Sequence, residues 1–343
     1  MNKVKPMLVM LLAISITACF PSNDSAKTEV LLQGRTMGTT YNIKVVATKE
    51  QVESLTLHKK IDAVLKQVNQ AMSTYIPSSE ISRFNESTST APIEITAGFT
   101  RVLKESIRLG ELSGGKLDIT VGPLVNLWGF GPEQRPEIVP SDEILASTQA
   151  RIGLSNLHLS GNQLSKDIPD LYVDLSTIAK GYGVDVVAEL IEANGISNYL
   201  VEIGGEMRLK GFKHTGELWA VAIEKPILDP SGEQRAVHQV IIPKDNAVAT
   251  SGDYRNYFEA DGQRFSHIID PDTGKPINHN LVSVTVIHPS SMTADGLSTT
   301  LMVLGAEQGM AFAQKNHLAA LFISKTEHGF KEQFTLKFKQ YLK

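Results

Sequence analysis

Cysteine is almost absent: the chain has one, Cys19, among 343 residues. A single cysteine excludes an internal disulfide and a multi-thiolate metal site. Basic residues are not in excess either. The 33 Lys and Arg stand against 37 Asp and Glu, a formal charge of −4, which excludes a sequence-independent nucleic-acid binder needing a basic face. No apolar run reaches the ~20 residues of a membrane-spanning helix, and there is no internal repeat or low-complexity tract. What is present is 42% hydrophobic and 20% charged residues. That composition supports a folded core and excludes a disordered chain, a collagen-like repeat or a coiled coil.

The first residues read as a targeting segment. Lys3 and Lys5 precede an apolar run from Met7 to Ile16, and then comes Ile16-Thr17-Ala18-Cys19. This resembles a bacterial lipobox, in which small residues precede a cysteine that is cleaved and lipidated. The alternatives are an ordinary signal peptide with a chance cysteine, or a short core helix. The lipoprotein reading divides the chain into a signal peptide (1–18), a lipidated Cys19 with its tether (19–33) and one folded domain (34–343). The mature chain then carries −6 and no free thiol, so a cysteine nucleophile is excluded as well.

The remainder mixes helix-period and strand-period segments. Ile61, Val64, Leu65, Val68 and Met72 follow amphipathic helical spacing, as do Phe99, Val102, Leu103 and Ile107. Thr96 suits the N-cap of the second helix and Gly114-Gly115 its stop. Further helices are expected over 184–193 and from about Ala294 to about Leu304. Residues 157–164 alternate around Ser160-Gly161-Asn162 and predict a hairpin. Strands are expected over 41–46, 171–175, 199–203, 218–224, 240–242, 254–259, 281–287 and 334–338. Strands and helices do not alternate one for one, so the expectation is a mixed α/β (α+β) chain with largely antiparallel sheets. The proline-rich stretch 131–140 is the candidate boundary between two lobes.

Several segments can carry chemistry. Asp295 and Thr299, in Thr293-Ala294-Asp295-Gly296-Leu297-Ser298-Thr299, are four apart and share one face of a helix. A carboxylate and a hydroxyl are hard donors that suit Mg²⁺ rather than zinc; helix capping, which commonly puts acidic and hydroxyl residues in a first turn, is the simpler explanation of this segment taken alone. Lys180-Gly181-Tyr182-Gly183 follows Val173-Asp174-Leu175 and opens a helix. Two close glycines, a lysine and helix N–H groups suit an anion, although a tight turn with a solvent-facing lysine has the same pattern. Neither the P-loop nor the dinucleotide fingerprint is matched. The Gly115–Leu124 segment contains Lys116, Leu117 and Asp118 and precedes Trp128-Gly129-Phe130-Gly131, a slot for a planar ring or plain core packing. His267 is placed on a strand leading into a turn. The following Asp270-Pro271-Asp272-Thr273-Gly274 opens like a calcium loop, but Leu281 stands where the closing Glu belongs. Gly34 to Thr39 reads as a loop before the first strand.

Taken in order, these segments resemble one family. Thr-Met-Gly-Thr, Asp-Ile-Thr-Val-Gly-Pro-Leu, Val-Asp-Leu-Ser-x-x-x-Lys-Gly-Tyr, Ile-Gly-Gly-Glu, Ser-His-Ile-Ile-Asp-Pro-x-Thr-Gly and Ala-Asp-Gly-Leu-Ser-Thr occur between Gly34 and Leu304. They are similar to the ApbE family of FAD:protein FMN transferases. The resemblance implies two interleaved lobes of an ApbE-like fold. It also implies a periplasm-facing lipoprotein that cuts FAD with Mg²⁺ and attaches FMN to a Thr or Ser of a partner protein; an acylated Cys19 would hold it at the inner or the outer membrane, since Phe20 after it is not the Asp that often signals inner-membrane retention. Asp295 and Thr299 would then bind Mg²⁺, with a backbone carbonyl at Gly183, where members often have Ala, as third ligand. Met37, Tyr75, Lys116, Leu117, Asp118, Lys180 and His267 match positions that line FAD, and His267 joins Asp295 and Thr299 as a catalytic candidate. Relatives with a smaller polar residue at the position of Tyr75 look more like FAD hydrolases.

Acceptors of this system carry an Asp-x-x-Gly/Ala/Ser-Ser/Thr-Gly/Ala-Ala/Ser/Thr segment. The nearest stretch here, Asp295 to Leu301, fails at its last two positions, so the chain reads as the enzyme and not its target. Implied targets are subunits of membrane redox pumps such as the sodium-translocating NADH:quinone oxidoreductase or the related electron-transport complex. The alternatives are a FAD pyrophosphatase releasing FMN and AMP, and a flavin-binding lipoprotein without catalysis.

Overall fold

Alternating β-branched residues set the main layer. In Thr39–Ala47 the side chains of Tyr41, Ile43 and Val45 are buried and the residues between them are more exposed, the period of a strand with one covered face. The computed structural model describes residues 26–131, 139–226, 236–253, 257–260 and 263–343. Cys19, the leader and residues 132–138 of the proline-rich stretch lie outside the described residues.

Eight strands form one sheet: β1 (Thr28–Thr36), β2 (Thr39–Ala47), β3 (Tyr199–Ile203), β4 (Glu206–Lys210), β5 (Ala247–Gly252), β6 (Leu281–His288), β7 (Ala319–Thr326) and β8 (Gly329–Phe334). Each pairs antiparallel with the next in chain order, so the antiparallel expectation is met. Four long helices accompany the sheet: α1 (Leu57–Met72), α2 (Ala97–Leu112), α3 (Ala179–Ala193) and α4 (Ser291–Lys315). One apolar cluster joins α1 and α3 to β1–β3 through Ile61, Leu65, Val187 and Val201. A larger one packs α2 and α4 on Val284, Val286 and Phe322. On the opposite side of the sheet, Leu321 and Ile323 meet Trp219, Ile241 and Phe338.

Several expectations shift. β1 begins at Thr28, so the latter half of the 19–33 tether belongs to the sheet. Residues 36–39 do not precede the first strand; they join β1 to β2. Met37 and Gly38 both have positive φ (50° and 70°), the two-residue hairpin turn whose twist matches the flanking strands. Residues 171–175 bury Leu171, Val173 and Leu175 in strand fashion but form no ladder. Asn85 takes the place of a neighbouring strand, accepting from the Val173 N–H (2.8 Å) and donating to its carbonyl (2.9 Å). Residues 334–338 are not a strand: β8 ends at Phe334, Phe338 turns into the core, and Lys339–Tyr341 is a short 3₁₀ turn. The expected strands at 218–224 and 240–242 correspond to Val221–Glu224 and Val237–Ile241, and the described part of 254–259 to Tyr257–Ala260, residues 254–256 lying outside the described residues. Residues 131–140 are not a boundary between lobes, because Leu124 and Trp128 before them share one cluster with Leu145 after them.

α4 contains a break. Gly305 is extended with φ 74° and ψ −178°, and the nearby Met302 carbonyl faces His279 Nε2 at 2.8 Å. The site-forming half of α4 therefore ends near Leu304, as its apolar pattern suggests. Its start is held by Asp185 of α3, which is fully buried. Asp185 Oδ2 accepts from Ser290 Oγ (2.7 Å) and the Met292 N–H (3.0 Å); Oδ1 accepts from the Ser291 N–H (3.0 Å) and Arg208 Nη1 (3.0 Å). Orphan N–H groups of a helix start are thus satisfied by another helix.

Removing the Asp185 carboxylate leaves those N–H groups unsatisfied and Arg208 without its buried partner. Asp185→Ala is expected to lower unfolding free energy by about 3–5 kcal/mol, measured by urea denaturation; a loss below about 1 kcal/mol would show that the clamp is not needed.

Candidate active site

Beside the first turns of α3 and α4 lies a cleft of about 820 Å³. Its walls include Thr39, Thr40 and Asn42 of β2, Glu202 of β3, Glu206 and Met207 of β4, Thr250 and Ser251 of β5, and Asp295 and Thr299 of α4. Segments 116–131 and 267–271 contribute Lys116, Leu117, Asp118, Phe130 and His267. Eight of the residues singled out from sequence thus face one space: Tyr75, Lys116, Leu117, Asp118, Lys180, His267, Asp295 and Thr299. Met37 and Gly183 are not among the residues lining it. They lie against each other, with a Cβ at Gly183 falling 2.8 Å from the Met37 methyl and 3.5 Å from Ile203. Gly183 also lies inside α3.

Asp295 is the fifth residue of α4, and the cap is Ser290, whose Oγ accepts from the Thr293 N–H at 3.2 Å. Capping therefore does not account for Asp295 or Thr299. Asp295 Oδ2 accepts from the Gly181 N–H at 2.9 Å. Only glycine permits this approach, since a Cβ at 181 would collide with the Ser291 carbonyl and lie 2.8 Å from Asp295 Cβ. Thr299 Oγ1 is 3.1 Å from Ser251 Oγ, which is 2.7 Å from Ser298 Oγ.

Lys180 is not a solvent-facing lysine. Its ammonium donates to Glu206 Oε1 at 2.5 Å. Burial would lower its pKa, but the charges of Glu206 and Asp295 raise it instead. Glu206 is 3% exposed and, among the described residues, its Oε2 has no hydrogen-bond partner. Gly204 and Gly205 precede it with φ of 56° and 103°, forming the β3–β4 turn. Sequence reasoning met Glu206 only inside Ile-Gly-Gly-Glu, and the close glycine pair before a carboxylate was the available signal.

Around these groups the charge is one-sided. Asp118, Asp174, Glu202, Glu206, Glu224 and Asp295 line the cleft against two ammonium groups, Lys116 and Lys180. Lys116 is itself held by Asp270 (2.9 Å) and Asp272 (2.8 Å), so the apparent calcium-loop acids serve a lysine. Asp118 accepts from the Thr120 N–H (2.7 Å) and hydroxyl (2.6 Å); burial nonetheless pushes its pKa up against those bonds. Asp174 is tied to the same segment by its N–H on the Ile119 carbonyl, 2.7 Å. Burial, and then the Glu206 charge, push the Asp295 pKa up to about 8 despite Lys180 and the Gly181 N–H.

Such a carboxylate calls for a cation. Among the described residues, no three His, Cys, Asp or Glu side chains are grouped to hold a metal ion. A cation here would rest on Asp295, hydroxyls and backbone oxygen, which suits Mg²⁺ with its remaining positions on water and phosphate. The aromatic segment divides. Trp128 stacks on Phe265 (5.4 Å), Phe265 stacks on Phe258 (5.0 Å) and all three are buried, whereas Phe130 lines the cleft and meets His267 edge-on at 6.3 Å. His267 follows the strand Gln263–Ser266 rather than lying in it.

A model of the ApbE family matches residues 37–322. The FAD:protein FMN transferase of Vibrio cholerae is 57% identical over 314 residues, covering 92% of this chain and 93% of that protein. That of Haemophilus influenzae is 49% identical over 349 residues, covering 98% and 97%. Among solved structures, the flavin transferase ApbE from Vibrio cholerae superposes with a TM-score of 0.85 at 55% identity, over 92% of this chain and 100% of that one. The apo form of the Pseudomonas stutzeri flavinyl transferase ApbE gives 0.84 at 39% identity, over 92% and 97%.

A carboxyl whose folded pKa is raised from 3.8 to about 8 favours the fold fully below its unfolded pKa and loses that contribution as pH rises through the folded one. Without divalent cations, Asp295→Asn is expected to gain stability relative to wild type between about pH 4 and pH 8. Urea midpoints across that range check this; a pH-independent difference would refute it.

Proposed function

The chain belongs to the ApbE family, and we propose that it acts in this cleft as a FAD:protein FMN transferase. The acceptor's Thr or Ser oxygen bonds to the phosphorus of the FMN half, the bond from that phosphorus to the bridging oxygen breaks, and that oxygen leaves with AMP. The observation that carries the reading is the meeting of Asp295, Thr299 and Lys180 in one cleft with five further carboxylates. A diphosphate enters such a place only with a cation to offset the repulsion.

Asp295 and Thr299 would hold Mg²⁺ by side-chain oxygens. Bound Mg²⁺ supplies positive charge to the diphosphate and the departing AMP oxygen. Tyr75, Lys116, Leu117, Asp118, Lys180 and His267 line FAD, with Met37 behind Gly183. His267 takes the proton of the acceptor hydroxyl. The cleft's volume is at the upper end of small-ligand sites, which suits a dinucleotide with two ring systems.

Cys19 carries the lipid that holds the protein at the inner membrane, facing the periplasm. Support comes from the lipobox-like Ile16-Thr17-Ala18-Cys19, while no helix among the described residues is long and apolar enough to cross a membrane. The acceptors are subunits of membrane redox pumps carrying the Asp-x-x-Gly/Ala/Ser-Ser/Thr segment, as in the sodium-translocating NADH:quinone oxidoreductase or the related electron-transport complex.

Incubation with FAD, Mg²⁺ and an acceptor is expected to place flavin fluorescence on the acceptor band of a denaturing gel, and EDTA to abolish it. Asp295→Ala should cost about 100-fold or more and Thr299→Ala about 10-fold, because one removes a charge and the other only a dipole. Full activity in chelator would overturn the assignment of both residues.

Hydrolysis to FMN and AMP is the second reading, and Tyr75 bears on it. Its side chain is 72% exposed at the cleft's rim, where it can cover bound FAD against water. Tyr75→Asn is expected to raise FMN release and lower protein flavinylation. An unchanged ratio of the two products would exclude Tyr75 as the residue that decides between nucleophiles.

A further inference from the structure

The Lys180–Glu206 pair has a role that neither member has alone. Lys180 stands next to Gly181, whose N–H is on Asp295 Oδ2, so its ammonium issues from the backbone beside the cation-seeking carboxylate. Both Asp295 and Glu206 attract it. An ammonium settled on Asp295 would take the lone pairs and the charge that a divalent cation needs. In the structure the hydrogen bond goes to Glu206 Oε1 instead, at 2.5 Å.

Glu206 is placed to win that contest. It comes from β4 of the sheet, not from the helices that carry Lys180 and Asp295, and the Gly204–Gly205 turn delivers it to the cleft. It is 3% exposed and, among the described residues, its other oxygen has no partner, so Lys180 is the side chain that offsets its charge through a hydrogen bond. A buried carboxylate with one ammonium on it is strongly held to that ammonium.

We propose that Glu206 is a positioning residue that anchors the Lys180 ammonium away from Asp295 and so leaves the Asp295 carboxylate free for a divalent cation. The inference rests on the Mg²⁺ reading given above. It makes Lys180 a competitor of the cation that Glu206 restrains. Removing the restraint should weaken cation binding, and removing the competitor as well should restore it. A direct ligand role for Glu206 has no such rescue.

The test is a titration of the apoprotein with Mn²⁺ as probe, free Mn²⁺ being read by electron paramagnetic resonance with no FAD present. Wild type, Glu206→Gln, Lys180→Met and the double variant are compared. Glu206→Gln is expected to bind Mn²⁺ about tenfold more weakly or worse. Lys180→Met should bind at least as tightly as wild type, and the double variant should return to within about fivefold of it.

A double variant as weak as Glu206→Gln overturns the proposal and makes Glu206 a ligand, and an unchanged Glu206→Gln affinity overturns it outright. If Glu206→Gln does not fold, the comparison of Lys180→Met with the double variant decides. Similar affinities support the proposal, and a loss of about tenfold or more on removing Glu206 where Lys180 is already absent overturns it. A wild type that binds no Mn²⁺ removes the metal reading itself, a different failure from unchanged binding in the variant.

Discussion

The cleft depends on a carboxylate that does not line it. Asp185, fully buried in α3, takes two backbone N–H groups, a hydroxyl from the start of α4 and an Arg208 N–H. This joins two helices end to side and fixes α4 in rotation as well as position. Asp295, one turn into α4, then meets the Gly181 N–H one turn before Asp185. The missing side chain at 181 is the same constraint seen from the other helix, because any larger residue would force the two apart. Packing, capping and site geometry are here one interaction counted three ways.

That geometry places acidic groups together at an energetic cost. Four of them, Asp118, Asp174, Glu206 and Asp295, are held in surroundings that push their pKa up, mainly through burial. On the proposed function, a binding site for an anion built largely from carboxylates makes affinity conditional on a counter-cation that neutralises the substrate. The two lysines do not relax this condition, since each is already committed to acidic partners.

Much of this was legible in the residues. The spacing of Ile61, Leu65, Val68 and Met72 marked α1, the i, i+4 pair Asp295 and Thr299 shared a face as expected, and Thr96 caps α2 on the Phe99 N–H. Other features were hidden for physical reasons. Ala319–Thr326 carries no strand alternation in the sequence, because β7 is covered on both faces and reads as an unbroken apolar run. Residues 171–175 have the alternation of a strand but a side-chain amide for a neighbour. Met37 holds a positive φ that its type seldom adopts, so the β1–β2 turn looked like a plain loop. The Lys180–Glu206 bond joins separate elements, and a lysine reveals nothing of its partner in one dimension.

The β2–β3 pairing has a consequence for how the molecule is made. These strands are neighbours in the sheet, yet residues 48–198 lie between them. At the usual ~5–20 residues per second, a ribosome needs roughly 8–30 s to deliver that stretch. For that interval the β1–β2 hairpin has been synthesised with Tyr41, Ile43 and Val45 uncovered and its inner edge unpaired, an invitation to strand addition by any neighbouring chain. Closing so long a loop adds only a slowly growing entropic penalty, so the finished sheet is not weakened by it. The exposure falls on the nascent chain, where helper proteins and synthesis speed, rather than native contacts, govern yield.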